Sequence, residues 1–199
     1  MKKIISSLLL VVSCAVLAHA GDTTLSKPDV LGEEKIFLME KMSTKYDTFI
    51  VKDFTTEGVE IANMDKDEQE KLKEVKPEIV STLTENIVKY VKKNTDFKKV
   101  ASNTSPTGKA VILEGKFTKF NAGHGAAKVF LGWMAPESTK TNISVTGRLI
   151  DAKTGKELAT FSDTRSGSEG GSVGFVGIVF KIQAKDEGEE IAKFVKKLY

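Results

Sequence analysis

Beyond residue 20 this chain holds no cysteine and a single histidine, His124. Without thiols there are no disulfides, so stability has to come from a packed core. With one imidazole the commonest metal ligands and the nucleophile–base pairs of hydrolases are nearly stripped away, and neither a metal site nor a cofactor is expected. Arginine is scarce too, occurring only as Arg148 and Arg165. Nucleic-acid surfaces concentrate positive charge and use arginine forks on phosphates and bases. The scattered lysines therefore read as a solvated surface, with nucleic acid excluded as a partner. Tryptophan occurs once, at Trp133.

The start of the chain is apolar. Met1–Ala20 reads as an export leader: Lys2 and Lys3, a run from Ile4 to Leu17, then Ala18-His19-Ala20 as a small-x-small cleavage site before Gly21-Asp22. Such cleavage removes Cys14 and His19 and makes the protein periplasmic or otherwise exported. A second reading takes Val11-Val12-Ser13-Cys14 as a loose bacterial lipobox, with a lipid on Cys14 anchoring the protein to the outer membrane. Apolar residues that continue past Cys14 to Leu17 favour soluble export. The run is shorter than the ~20 residues that span a bilayer, so a retained helix is the weakest option. Taking Lys2 and Lys3 from the 30 basic residues leaves 28 against 27 acidic ones, close to neutral.

The remaining residues suit one domain with a core of its own. Residues 21–45 read as a polar, turn-rich and loosely held lead-in, and 46–199 as a single α+β domain. Tyr46–Phe54 is β-branched and aromatic and reads as a buried strand, with Thr55–Met64 as its exit loop. Leu72, Val75, Ile79, Leu83, Ile87 and Val91 form one apolar stripe at helical spacing within Asp65–Asn94, where Pro77 predicts a kink or a restart near Glu78. A short strand follows at Phe97–Val100. Ala110–Phe120 is a second strong strand, with Val111, Leu113 and Phe117 on one face and Gly115 marking a close approach or a bulge. Thr141–Asp151 and Glu157–Thr164 read as a hairpin whose turn uses Gly155. From Ile178 to Leu198 the spacing of Phe180, Ala184, Ile191, Phe194, Val195 and Leu198 is helical. The expected architecture is a mostly antiparallel sheet packed against two long helices. The crossover through the first helix adds one parallel pair, which would make the sheet mixed.

The order of these blocks resembles a bacterial envelope family described as domain of unknown function 4410. The likeness rests on Phe49-Ile-Val-Lys-Asp-Phe54 before the long helix and on Leu113-Glu-Gly-Lys-Phe-Thr-Lys-Phe120 running into a glycine-rich segment. It also rests on Val145-Thr-Gly-Arg-Leu-Ile-Asp-Ala-Lys-Thr-Gly-Lys156 and on Ser166–Gly171 before the last helix. It implies an exported protein or lipoprotein and brings no catalytic residues with it. A weaker, architectural likeness is to the α+β domains of envelope assembly factors such as the curli secretion lipoprotein.

Two glycine-punctuated segments hold the candidate sites. In 121–136, His124 is flanked by glycines, and Lys128, Phe130, Leu131 and Trp133 form a binding group in which an indole and two apolar side chains suit a contact surface. In 166–177 the glycines lack the Gly-Lys-Ser/Thr ending and the βαβ surroundings of phosphate-binding loops. Its lack of sustained alternation also argues against a membrane barrel strand. The acid pairs Asp65/Asp67 and Glu189/Glu190 read as solvated surface, and Asp186–Glu190 does not match a calcium loop. The expected function is that of a non-catalytic binding or assembly accessory module of the cell envelope. Its partner would be an envelope protein or envelope component, with membrane touched only through a lipid anchor or a loop. The alternatives are a periplasmic hydrolase or small-ligand enzyme using His124, and a membrane-associated oligomer.

Overall fold

The computed structural model describes residues 24–123, 140–167 and 176–199. Seven strands make one sheet: β1 (Glu33–Ile36), β2 (Thr48–Val51), β3 (Glu60–Ala62), β4 (Lys99–Ser102), β5 (Ala110–Asn121), β6 (Thr141–Asp151) and β7 (Glu157–Gly167). Among the described residues the α-helices are α1 (Lys66–Asn94) and α2 (Val176–Leu198). The strand order is β1-β7-β6-β5-β2-β4, with β3 also paired to β5. Within the described residues no helix is long and apolar enough to cross a membrane.

The sheet is mixed to a greater degree than the sequence suggests. β2 lies parallel to both β4 and β5, and β3 is parallel to β5, while β1/β7, β5/β6 and β6/β7 are antiparallel. The crossover through α1 accounts for the β2/β4 pair. The chain then returns through residues 103–109 to the far side of β2, which aligns β5 with it as well. Strand β3 lies inside the expected exit loop, too short and too polar to show a period of two.

Part of the expected lead-in belongs to the sheet. β1 closes one edge against β7, and Leu31, Ile36 and Leu38 are buried in the core. The turn before β1 is fixed by Glu34, whose carboxylate accepts the amides of Asp29, Val30 and Leu31, each at 2.9 Å. A carboxylate that accepts several amides in this way stands in for the backbone partners a turn lacks.

Helix α1 begins at a capping box. Asp65 accepts the Glu68 amide at 2.8 Å, and the Glu68 side chain accepts the Asp65 amide at 3.0 Å. The first turn adds acids and the last turn Lys92 and Lys93, as the helix dipole favours. The stripe Leu72, Ile79, Leu83, Ile87 and Val91 is buried. Pro77 does not restart the helix, which is one element over Lys66–Asn94. Its ring sits on the exposed face, so the carbonyl of Lys73 that it leaves without a donor is on the solvent side.

One sheet face packs on both helices in a single hydrophobic cluster. Two glycines shape it. Gly115 and Gly147 are register partners. The Phe54 ring occupies the space above Gly115, and the Phe161 ring that above Gly147. The close approach expected at Gly115 is therefore present, whereas the register shift of β5 falls between Phe117 and Lys119. That shift turns both Phe117 and Phe120 inward, and their rings stack at 5.1 Å. The opposite sheet face carries polar side chains, among them Glu114, Lys116, Thr146, Arg148, Thr160 and Ser162, which line a shallow groove of about 670 Å³.

Candidate functional site

The described residues that flank the two glycine-rich segments lie at the ends of strands β5, β6 and β7 and at the start of α2. Segment 124–139 leaves from the end of β5 and returns into β6. Segment 168–175 leaves from the end of β7 and enters α2. The first residue of β6 and the last of β7, Thr141 and Gly167, are register partners, so the two segments share a base. His124, Lys128, Phe130, Leu131 and Trp133 lie outside the described residues, as does Cys14; what the fold supplies is the platform beneath them.

That platform is a set of buried polar side chains. Asn121 clasps both ends of the first segment. Its Oδ1 accepts the Gly123 amide at 2.9 Å and the Asn63 Nδ2–H at 2.8 Å, and its Nδ2 reaches the Lys140 carbonyl at 3.5 Å. Gly123 itself has φ +69°, a conformation that glycine adopts without strain. Thr141 Oγ1 donates to the Ala122 carbonyl at 3.3 Å. From α2, Gln183 donates Nε2–H to the Thr141 carbonyl at 2.8 Å, and a side chain at Gly167 would crowd this amide at 3.3 Å. Asn121, Thr141 and Gln183 are all at least 94 % buried, at 6 %, 2 % and 3 % exposure. Groups this dry hold their geometry, because leaving any partner unpaired costs about 1–3 kcal/mol.

Directly below sits a charged cluster. Arg165 of β7 donates Nε–H to Glu187 of α2 at 2.9 Å and lies 2.6 Å from Asp163 Oδ2. Asp163 Oδ1 accepts the Gly32 amide at 2.9 Å, tying the lead-in to the same point. Burial disfavours the Arg165 cation, but the charges of Glu187 and Asp163 outweigh it and hold the guanidinium above its ordinary value. Burial likewise pushes the Glu187 carboxyl well above the carboxylate range, helped by Asp163 and opposed by Arg165. Within the described residues, no group of three or more His, Cys, Asp and Glu side chains could hold a metal ion.

Sequence reasoning singled out the two segments but missed the platform at their ends. Gln183 and Glu187 stand at the spacing of the Phe180–Ala184–Ile191 stripe, so they fall on the buried face of α2. Glu187 is fully buried and not part of the solvated charge run around it. Asp163 and Arg165 continue the inward alternation of Phe161. Polar residues at apolar positions were the available signal.

Several solved structures resemble this chain distantly. A PelC variant dodecamer from Paraburkholderia phytofirmans is 10 % identical over 80 % of this chain and 95 % of its own, with a TM-score of 0.42. A second PelC dodecamer from that organism is 12 % identical over 73 % and 89 %, at 0.39. A Xanthomonas campestris protein of the family DUF330 is 9 % identical over 76 % and 83 %, at 0.44. No curated protein matches. The family model described as Domain of unknown function (DUF4410) matches residues 49–171, from the first core strand past the end of β7, and the chain belongs to that family.

Proposed function

We propose that this protein is an exported component of the bacterial cell envelope that works by binding another envelope protein or envelope component, without bond-making chemistry. One observation carries the reading: the pairing of Thr141 with Gly167, which roots both glycine-rich segments on one rigid, buried polar base. A sheet backed by two helices holds that base still, and the segments it carries contain the chain's one tryptophan. Binding energy concentrates in a few large side chains that lose water at the centre of a contact. Phe130, Leu131 and Trp133 are the residues of that kind here, with Lys128 and His124 supplying polar contacts around them.

The test compares two single substitutions in affinity capture from envelope extracts. Trp133→Ala weakens recovery of the partner strongly, while His124→Ala, at the polar rim, weakens it far less. Unchanged recovery with Trp133→Ala would refute the interface. An activity that purified protein shows and His124→Ala abolishes would establish the enzyme reading in its place. Intact mass of the native protein fixes its attachment, since Gly21 or a lipidated Cys14 as first residue separates soluble export from an anchor.

A further inference from the structure

The charged cluster between β7 and α2 contains two oxygens that its other contacts leave unsatisfied. Among the described residues Glu187 Oε1 and Asp163 Oδ2 are buried without a hydrogen-bond partner, and so is Gln183 Oε1 one turn earlier on α2. Arg165 reaches Asp163 Oδ2 at 2.6 Å, but without the alignment of a hydrogen bond. Every other carboxylate oxygen of the pair has its donor: Gly32 N–H on Asp163 Oδ1, and Arg165 Nε–H on Glu187 Oε2. The two carboxyl groups close on the same guanidinium, Asp163 Oδ2 at 2.6 Å from Arg165 Nη2 and Glu187 Oε2 at 2.9 Å from its Nε, which brings them together. Two carboxylates offer four acceptor oxygens and no donor, so a bond between them requires a proton on one.

We infer that Asp163 and Glu187 share a single retained proton, carried as Glu187 Oε1–H donating to Asp163 Oδ2, and that this proton clamps α2 to β7 and to the lead-in at Gly32. The charge then balances. Arg165 faces one net negative charge rather than two, and both orphaned oxygens are satisfied by one bond. Among the described residues, Arg165 is the cation paired with these two carboxylates. On β7 the charged groups are Asp163 and Arg165 themselves. On α2, Glu190 also acts on Arg165, and Lys193 is held by Glu189 and Glu190. The β6 residues of this region, Thr141, Ile143 and Val145, bring no charge. α1 meets the adjacent Gly188 through Leu83, Asn86 and Ile87, which bring none either. Of the β1 acids, Glu34 is occupied by the amides of residues 29–31, and Glu33 accepts from Ser162 Oγ. The direction of the Glu187 shift, upward through burial and Asp163, agrees with the geometry.

This clamp responds to alkali, opposite to carboxylates whose pKa is lowered by hydrogen bonds and cations, such as Asp151. A carboxyl whose folded-state pKa is raised binds a proton in the folded chain that the unfolded chain has already lost. Its stabilisation is whole below the ordinary glutamate range and falls as pH rises towards the folded value. For an exported domain this makes the α2/β7 junction a sensor of the pH outside the cell.

Glu187→Gln tests it, because the amide copies the protonated acid: Nε2–H donates to Asp163 Oδ2 and Oε1 accepts from Arg165. Unfolding constants are measured for wild type and Glu187→Gln by urea titration from pH 5 to 9. Wild type loses stability relative to the variant by approaching tenfold in the folding constant per pH unit, until Glu187 ionises in the folded state. Carboxyl ¹³C shifts of the wild-type protein show Glu187 still protonated where the other glutamates have ionised, and Asp163→Asn, which supplies an amide donor, lowers its midpoint. A Glu187 carboxyl that titrates at or below the ordinary glutamate value overturns the inference. So does a Glu187→Gln chain that parallels wild type at every pH or fails to fold.

Discussion

Gly147→Ala is a one-methyl change whose effect can be worked out from the geometry. A Cβ at residue 147 would stand 2.3 Å from Cζ of Phe161 and within 3.0 Å of two more of its ring atoms. Ordinary carbon contacts begin near 3.5 Å, so the ring has to retreat by about 1 Å. It has nowhere to go, since its other side tilts against Phe194 at 5.4 Å. On backbone grounds alone, alanine in a strand would gain roughly 0.5–1 kcal/mol over glycine. Overpacking a finished core loses about 1–3 kcal/mol, and here the overlap is severe, so the loss wins. Urea unfolding of Gly147→Ala is expected to show a net loss of about 2 kcal/mol, with Tm lower by about 2–4 °C for each kcal/mol. Shrinking the ring with Phe161→Leu in the same chain recovers part of that loss. The same rescue fails at Gly115, where the new Cβ also meets the Thr146 carbonyl oxygen at 2.4 Å, a backbone atom that no side-chain change moves. A Gly147→Ala protein as stable as wild type would refute the claim that paired glycines set the spacing between sheet and aromatic core.

Asp65→Ala removes the capping box at the start of α1 and lowers stability by about 1 kcal/mol, read from the urea midpoint. Asp151 holds the β6–β7 turn. Burial alone would raise its carboxyl, but hydrogen bonds from Lys45, Tyr46 and the amides of Thr154 and Lys153 outweigh that and keep it below the ordinary aspartate range. Its contribution is therefore complete above the unfolded aspartate pKa of about 3.9 and drains away as pH falls below it. Asp151→Asn flattens the acid limb of a stability–pH curve, and an unchanged acid limb would contradict the assignment. Asn121→Ala leaves the Gly123 amide and Asn63 without their acceptor, loses about 1–3 kcal/mol, and weakens partner capture at temperatures where the protein stays folded.

What could be read in advance follows from how local each signal is. α1 was legible because its stripe, its acid-rich start and its lysine-rich end all lie within one continuous segment, and the β6–β7 hairpin because Gly155 sits between two alternating runs. β1 and β3 were not, being four and three residues long and stabilised by partners distant in the chain. The parallel alignment of β5 with β2 depends on which side of β2 the chain returns, a choice that residues 103–109 do not display. The platform under the glycine-rich segments was hidden for a related reason. Asn121, Gln183 and Glu187 are polar at core-facing positions, and only a three-dimensional arrangement that pairs them explains why they belong there. Trp133 and its apolar neighbours were singled out by composition alone, and they lie outside the described residues.

Site-specific photo-crosslinking in cell envelopes tests the central proposal most directly. A crosslinker at position 133 probes the segment rooted on Thr141 and Gly167. One at position 153 probes the β6–β7 turn at the opposite end of the same hairpin. The account predicts one discrete adduct from position 133 and none from position 153. Equal labelling from both positions, or no adduct from position 133, would contradict it.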